Sequence, residues 1–427
     1  MIPGDGLRVK QATMGMGAKP KQFPSDILFD IFSRLPIKTL LRFKCVSPLW
    51  CTIIDDPYLA RLHRLQLRVE EPKLLVHEPM SKLAVPVFRE DRCGILRFVN
   101  RKFNAYSLES CCNGLLCFTR LFLNCNHNPL FLVNLQRQQV VELPRPPCIG
   151  APVHTSDSVC RCSYGLGFDC ATNTYKIVVV FFNGGNPAGQ DGHLCAQVYT
   201  LGGRGSSSSW RPVKGPPNCS FYERPEWERG FYEKPVYARG ALHWLVKPQG
   251  YNVSWVYRPQ LDDNVALHQL QWDLVNIVYF DVGREEFGLI SPPRTGMPFH
   301  LVDLGGDLAV VTIAFHFWSI EIWVMNQKKE WVQEHEISLC GVNSNLPSIR
   351  VLGLFEDGEI LVRVNWKSFL FYNPKNHVLK RRRHYIPRVL RVEREVLCHN
   401  NMDTLLSLDM FREEGTTLLS LDMFQEE

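Results

Sequence analysis

The chain has 427 residues, a hydrophobic fraction of 45% and a formal net charge of +5. Its length suggests two or three domains, and its apolar fraction excludes disorder along most of the sequence. The small net charge argues against a general attraction to nucleic acid or membrane surfaces, and without a run of ~20 apolar residues no membrane-spanning helix is expected.

Residues 1–20 are rich in Gly and Met and are expected to form a mobile leader. The first 22 residues contain three lysines but no apolar run of the length that a secretory signal requires. The chain also has 15 cysteines, an odd number. Together these features predict reduced thiols and a location in the cytoplasm, the nucleus or both.

Residues 21–66 are predicted to form a small module of three helices. Ser25 is the expected N-cap of the first helix, because it follows Pro24 and precedes an apolar stripe at helical spacing. Pro36 ends that helix. The stripe consists of Ile27, Leu28, Ile31, Phe32 and Leu35.

The second and third helices follow directly. The second carries Leu40, Leu41, Phe43 and Val46. Ser47-Pro48 predicts the start of the third, since serine is a good N-cap and proline at the first helical position sacrifices no hydrogen bond. Asp55-Asp56-Pro57 closes it, and residues 58–67 are expected to add a last short turn. About forty residues cannot bury apolar side chains on so many faces, so the module needs a partner surface, either the rest of this chain or another protein.

Three runs in this module carry a family resemblance. They are Phe23-Pro-Ser-Asp-Ile-Leu28, Leu35-Pro-Ile-Lys-Thr-Leu-Leu-Arg-Phe43, and Val46-Ser47 followed by Trp50. Together they resemble the F-box, the module by which receptors of SCF ubiquitin ligases hold the adaptor that links them to cullin. Pro48 departs from the pattern, because many members of this family carry Lys or Arg there. The resemblance implies an adaptor-facing and core surface made of Pro24, Ile27, Leu28, Ile31, Leu35, Pro36, Leu40, Leu41, Val46 and Trp50.

Beyond residue 105 the chain predicts short antiparallel strands in two alternating patterns. In the first, a turn glycine precedes a strand, as at Gly114, Gly240, Gly306 and Gly358. In the second, an apolar strand ends in Asn or Asp, whose side chain is expected to bond the turn backbone. These positions are Asn134, Asp169, Asp281, Asn326 and Asn373. An insertion from about residue 247 to 276 interrupts the alternation.

The overall prediction is a mainly β protein with a small N-terminal α module. Strand pairs that recur every ~45–50 residues indicate a β-propeller-like domain over residues 70–390, with a β-sandwich as the alternative. The repeats are too degenerate to give the number of blades.

Five motifs of the β region occur in a familiar order. They are Ser110-Cys-Cys-Asn-Gly-Leu-Leu116, Asn173-Thr-Tyr-Lys-Ile-Val178, Trp210-Arg211, Gly240-Ala-Leu-His-Trp244 and Glu321-Ile-Trp-Val-Met325. The order is similar to that of plant F-box proteins with an F-box-associated, kelch-like domain. The doubled Cys111-Cys112 and the insertion after Trp244 depart from that pattern. The resemblance implies that this domain binds a target protein, but it does not identify the target.

Cysteines cluster in the same region and invite a zinc interpretation. The set comprises Cys111, Cys112, Cys117, Cys125 and His127, and then Cys160, Cys162 and Cys170. The sequence has no Cys-x-x-Cys, and several of these cysteines alternate with apolar residues in predicted strands. The pattern therefore favours buried thiols in the core over a metal site. We expect no metal and no cofactor.

Catalytic motifs are weak. His243 lies between Leu242 and Trp244 and is expected to be structural or to line a pocket, not to act as a catalytic base, because no nucleophile or carboxylate stands beside it at a motif spacing. Gly165-Leu-Gly167 is a fragment of a dinucleotide loop and predicts a turn. The run of four basic residues at 380–383 favours a solvated strand end over a nucleic-acid or nuclear-import patch. Residues 221–237 fit either a recognition loop or a connection between blades.

The C-terminal residues 391–427 contain a tandem duplication. The octapeptide Thr404-Leu-Leu-Ser-Leu-Asp-Met-Phe411 recurs as Thr417–Phe424. An offset of 13 residues turns the two copies about 220° apart on a helix, so one helix cannot align them. A duplicated loose tail is the favoured interpretation, and a short partner-binding motif is the alternative.

These observations predict a non-catalytic substrate-recognition subunit of an SCF-type ubiquitin ligase. The F-box would bind the adaptor and, through it, cullin, and the β domain would bind an unknown target protein. Three alternatives remain open. They are an interaction protein outside any ligase, a propeller hydrolase built around His243, and a nucleic-acid binder using residues 380–383.

Overall fold

The computed structural model describes residues 23–66, 73–77, 87–90, 95–99, 106–120, 130–147, 162–183, 193–201, 209–217, 219–221, 234–248, 275–293, 297–314, 319–340, 349–355, 358–364, 368–380, 395–399, 406–411 and 418–420. Four helices precede a β-propeller of five blades. In this described part of the chain, no helix has the length and apolarity required to cross a membrane.

The helical module consists of α1 (Ser25–Ser33), α2 (Ile37–Phe43), α3 (Pro48–Asp55) and α4 (Pro57–Gln66). Ser47 caps α3 as predicted, because its Oγ accepts a hydrogen bond from the Trp50 N–H at 3.2 Å and Pro48 takes the first helical position. The predicted cap of α1 is wrong. Pro24 is the N-cap and its carbonyl accepts the first helical hydrogen bonds, so Ser25 is already helical. The expected last turn is instead the ten-residue helix α4.

The four helices enclose a small core. Trp50 packs its ring against Phe32 and Phe43, with centroid distances of 5.1 and 5.2 Å. His63 of α4 is buried, and its Nε2 lies 2.8 Å from the carbonyl oxygen of Leu35, which ties α4 to the end of α1. The buried apolar residues are Leu28, Phe32, Ile37, Leu40, Ile53, Ile54 and Leu59.

The strands follow the helices along the chain. The first three are β1 (Lys73–His77), β2 (Val87–Glu90) and β3 (Ile95–Val99). Blade 1 contains β4 (Tyr106–Cys112), β5 (Leu115–Arg120), β6 (Leu130–Asn134) and β7 (Gln139–Leu143). Blade 2 contains β8 (Cys162–Asp169), β9 (Thr174–Asn183), β10 (His193–Leu201) and β11 (Arg211–Val213). Blade 3 contains β12 (Cys219–Phe221), β13 (Val236–Ala238), β14 (Ala241–Pro248), β15 (Asn276–Asp281) and β16 (Glu286–Ile290).

The remaining strands complete the domain. Blade 4 contains β17 (Met297–Leu304), β18 (Asp307–Ala314), β19 (Ser319–Met325) and β20 (Trp331–Ser338). Blade 5 contains β21 (Ile349–Leu354), β22 (Ile360–Val364), β23 (Ser368–Asn373) and β24 (Val378–Lys380). The last two strands are β25 (Glu395–His399) and β26 (Leu418–Ser420).

Each blade is an antiparallel sheet made mainly of consecutive strands. A further sheet joins the two ends of the domain, since β1 pairs in parallel with β3 and antiparallel with the late strand β25. The predicted insertion falls between β14 and β15, which pair directly through Val246 and Asn276. The propeller prediction is therefore confirmed, and the β-sandwich alternative is wrong.

Both predicted turn patterns are confirmed. Gly114, Gly240, Gly306 and Gly358 all have positive φ, as tight hairpin turns require. All five predicted Asn or Asp side chains accept a hydrogen bond from a turn N–H, as from Arg137 to Asn134 at 3.1 Å and from Lys375 to Asn373 at 2.9 Å. One short polar turn is thus repeated in all five blades.

The apolar core lies between neighbouring blades. One cluster joins blades 1 and 2, and three others join blades 2 and 3, 3 and 4, and 4 and 5. Gly165 and Gly167, predicted to form a turn, lie instead inside β8. A Cβ at Gly165 would lie 2.7 Å from a methyl carbon of Leu242, so the strand needs glycine where blade 3 approaches.

The duplicated tail is also not loose where the structure describes it. Leu406, Leu408 and Phe411 of the first copy are buried in the core between blades 1 and 2. Residues 418–420 of the second copy form β26, which adds a fifth strand to blade 1 beside β7. Residues 406–407 of the first copy lie outside any strand, whereas the equivalent residues 419–420 of the second copy lie in β26.

Candidate functional site

The helical module has several apolar side chains that remain about half exposed in the described part of the chain. Ile27 and Ile31 of α1 are 47% and 44% exposed, and Val46 between α2 and α3 is 59% exposed. The two isoleucines are four residues apart, so they lie on one side of α1. Pro24 and Pro36, which bracket that helix, are also exposed. Exposed apolar side chains that share one side of a helix are typical of surfaces that contact another protein.

The ten residues predicted for the site divide into three groups. Pro24, Ile27, Ile31, Pro36 and Val46 are exposed, and Leu35, Leu41 and Trp50 are half-buried. Leu28 and Leu40 are buried in the helical core, so they support the surface from below. Only the first two groups are placed to meet a second protein.

Two further exposed aromatic residues escaped the sequence prediction. Phe23 is 67% exposed and Tyr58 is 53% exposed. The Tyr58 ring stands edge-on to Phe29 of α1, with centroids 5.3 Å apart. The position of Tyr58 just after Pro57, in the first turn of α4, was the available signal.

An ion pair seats the helical module on blade 1. Arg137, in the turn between β6 and β7, donates from Nη1 to Asp55 Oδ1 at 2.6 Å and from Nη2 to the Ile54 carbonyl at 3.2 Å. Lys44 Nζ also reaches Asp55, at 2.9 Å. Burial raises the pKa of the Asp55 carboxyl, but the hydrogen bonds from Lys44 and Arg137 outweigh it and leave the pKa below its usual value. We call these contacts of Arg137 with Ile54 and Asp55 the junction.

Several motif residues of the β domain link one blade to the next. Ser110 Oγ accepts from the Leu166 N–H at 3.0 Å, and Trp210 Nε1 donates to the Pro144 carbonyl at 2.7 Å, so both join blades 1 and 2. Trp244 Nε1 donates to Ser163 Oγ at 2.9 Å and joins blades 2 and 3. These residues build the scaffold, so the family motifs do not by themselves mark a target-binding surface.

A buried cation forms a second link between blades 2 and 3. Lys176 Nζ lies 3.2 Å from Asp169 Oδ2, 2.8 Å from Glu285 Oε1 and 2.7 Å from the Val282 carbonyl. Arg211 pairs with the same glutamate. Lys176 and Asp169 side chains are only 7% and 5% exposed. Burial acts to raise the pKa values of the Asp169 and Glu285 carboxyls, but the hydrogen bonds that they accept outweigh burial. Both pKa values therefore lie below their usual range, and both carboxyls are ionised.

His243 is a buried structural histidine, as predicted. Its Nδ1 lies 3.2 Å from the Val236 carbonyl oxygen and therefore carries a proton to donate. The ring is 5% exposed and lies beside Tyr279. Burial lowers the pKa of His243 from 6.5 to about 4, which keeps the imidazole neutral.

The neutral state of His243 makes stability depend on pH. Between pH 6.5 and about 4 the unfolded chain binds a proton at this residue and the folded chain does not, so acid lowers the free energy of unfolding. We expect His243→Asn, which keeps a donor for Val236, to remove about 2 kcal/mol of the loss between pH 7 and pH 5. Urea unfolding at both pH values measures it, with His193→Asn at an exposed histidine as the control. Equal pH slopes in His243→Asn and the parent protein would contradict the assignment.

The cysteine prediction is confirmed in part. Cys111, Cys112 and Cys117 are buried, and burial raises the pKa of the Cys117 thiol. Cys162 is half-buried and Cys170 is exposed, so these two were wrongly predicted to be core residues. The described residues hold no group of three or more His, Cys, Asp or Glu placed to bind a metal ion.

Other predictions fall on residues outside the described part. These are the leader at residues 1–20, Cys125, His127, Cys160, the basic residues 381–383, most of the aromatic segment 221–237 and most of the insertion before β15. Lys380, the first residue of the basic run, is exposed at the end of β24, as expected of a strand end.

Comparisons with known proteins agree on both parts of the chain. A family model described as F-box domain matches residues 21–62, and one described as F-box associated beta propeller domain matches residues 266–398. The Arabidopsis thaliana F-box protein At1g47790 is 30% identical over 383 residues, which covers 84% of this chain and 85% of that protein. The F-box protein At3g07870 of the same plant is 26% identical over 407 residues, covering 85% and 87%.

Solved structures are more distant. A chain of the nidogen/laminin complex covers 74% of this chain and 87% of its own, at 12% identity and a TM-score of 0.32. A likeness at that level supports no conclusion about fold or function.

Proposed function

This chain belongs to the plant F-box proteins that carry an F-box associated β-propeller domain, and on that premise we propose that it is the substrate-recognition subunit of an SCF-type ubiquitin ligase. The F-box binds the ligase adaptor and, through it, cullin. The propeller binds a target protein.

One observation carries the adaptor half of this proposal. Ile27, Ile31 and Val46 stay exposed although the junction already joins the module to the propeller at the end of α3. The helical module therefore has two faces, one used within the chain and one left for a second protein. The exposed face supports adaptor binding by the residues that the F-box resemblance selected.

The target half rests on the construction of the propeller. Its blades are held together by buried hydrogen bonds and apolar clusters, which leave the loops between strands to vary without loss of the fold. We propose that the target is contacted by the long segment between β14 and β15 and by the aromatic segment before β13. The kelch-like character of the propeller domain also stays a prediction.

The proposed mechanism is proximity. Holding the target and a ubiquitin-charged enzyme in one assembly raises their effective concentration, and this requires no active site in the receptor. The chain therefore acts as a non-catalytic subunit without a cofactor. We place it in the cytoplasm, the nucleus or both, where ubiquitin ligases and their targets meet.

Co-purification tests the proposal. The full chain, mixed with adaptor and cullin, is expected to elute with both in one complex of equal proportions. Leu35→Ala/Pro36→Ala, which alters the connection between α1 and α2, is expected to elute apart from them. A chain that elutes alone, or equal recovery of adaptor with the parent chain and the variant, would remove the ligase function and leave an F-box protein that acts outside it.

A further inference from the structure

We propose that the duplicated C-terminal tail controls how the F-box is held on the propeller, and that it acts through the turn between β6 and β7. The docked tail is defined as residues 406–411 and 418–420. The β6–β7 turn, residues 134–139, contacts the docked tail at both of its ends and the F-box in its middle.

The first copy of the tail binds the two ends of this turn. Asn134 Nδ2 donates to the Leu406 carbonyl at 2.7 Å, and the Leu408 N–H donates to Gln139 Oε1 at 2.9 Å. Gln139 Nε2 also reaches Ser407 Oγ at 3.3 Å. Asn134 is fully buried, so its bond to the tail is shielded from water and strengthened by the low local dielectric.

The second copy contacts the same strand at the same residue. β26 pairs antiparallel with β7, and its Ser420 stands opposite Gln139. Ser420 is the duplicate of Ser407, since the copies are 13 residues apart. The equivalent serines of the two copies therefore both lie at Gln139. Ser407 contacts the Gln139 side chain through its hydroxyl, and Ser420 lies opposite Gln139 in the strand pairing. The duplication therefore provides two separate contacts between the tail and the β6–β7 hairpin.

The middle of the turn holds the F-box. Asn134 Oδ1 accepts from the Arg137 N–H at 3.1 Å, which sets the backbone from which Arg137 extends. The Arg137 side chain is only 3% exposed and forms the junction with Ile54 and Asp55 at the end of α3. Asn134 therefore bonds the tail with one side-chain atom and the Arg137 backbone with the other. A change in the tail is therefore transmitted to the F-box through Asn134.

The consequence concerns geometry. A tail that is docked fixes the turn, and the turn fixes the direction in which the F-box faces away from the propeller. Arg137 and Asn134 are positioning residues in this scheme, since they act through their contacts with α3 and the docked tail. The importance of this F-box orientation for ubiquitin transfer rests on the proposed function. The coupling between the tail and the F-box does not depend on that function.

Hydrogen exchange of the full chain alone tests the coupling. We expect Asn134→Asp, which keeps the turn acceptor but loses the donor to Leu406, to raise amide exchange about tenfold both in residues 406–411 and in α3 and α4. The matched control is Asn373→Asp, because Asn373 holds the equivalent turn of blade 5 and the described bonds of the docked tail are to the β6–β7 hairpin. It is expected to change neither segment.

Two more variants separate the coupling from a general loss of structure. Arg137→Met should raise exchange in α3 and α4 and leave the tail protected, and Arg137→Lys should restore part of that protection. If Asn134→Asp also raises amide exchange in β4 and β5, the same test is made with Gln139→Ala, a variant at a half-buried position. Faster exchange in the tail with α3 and α4 unchanged would overturn the proposal, as would no change in either segment. Adaptor binding is not part of this readout, so the result stands whether or not the chain assembles a ligase.

Discussion

Glutamate in place of both Ile27 and Ile31 is expected to weaken adaptor binding by at least about 100-fold, which corresponds to about 3 kcal/mol. The two side chains are about half exposed on one side of α1, and a partner that covers them would have to desolvate two carboxylates. The helix itself should persist. Glutamate has high helix propensity, and residue 27 lies in the first turn, where the helix dipole favours a negative charge.

Titration calorimetry with purified adaptor measures the change in affinity. Leu289→Glu is the matched control, because Leu289 is an aliphatic residue of β16 that is 52% exposed on the propeller. It should bind adaptor as the parent protein does. Unchanged affinity in the double variant would show that the adaptor does not cover this side of α1 and would refute the assignment of these two site residues.

The second large effect concerns the link between blades 2 and 3. We expect Lys176→Met to lower the free energy of unfolding by about 3–5 kcal/mol, the range observed when one partner of a buried ion pair is removed. Methionine fills much of the same space, so the loss comes from charge. Asp169 and Glu285 would face each other across the same gap without the ammonium group that now lies between them.

Urea unfolding at pH 7 measures this loss, and Lys375→Met is the control at an exposed lysine of the blade 5 turn. The control is expected to change stability by less than about 0.5 kcal/mol. A loss below about 1 kcal/mol in Lys176→Met would mean that water or Arg211 compensates for the missing cation, and the link would not be a main stabilising contact.

Much of the fold was readable from the sequence because it depends on local chemistry. Ser47-Pro48 combines a favoured N-cap with a favoured first helical residue, and the repeated glycines and Asn or Asp residues form their turns with neighbours only a few positions away. The alternation of these turns was enough to predict stacked blades. Ser25 was misassigned because a proline carbonyl can begin a helix without a side-chain cap.

Tertiary structure decided what depends on distant residues. Leu28 and Ile31 look alike in the sequence, yet one is buried and the other exposed, because only the packing of four helices determines which side of α1 faces inward. Gly165 lies in β8 and not in a turn, and it is the close approach of Leu242 from another blade that requires a glycine at this position. Arg137 meets Asp55 across 82 residues, and Asn134 meets Leu406 across 272. Local patterns carry no information about such pairs, since the chain brings them together only when the propeller closes.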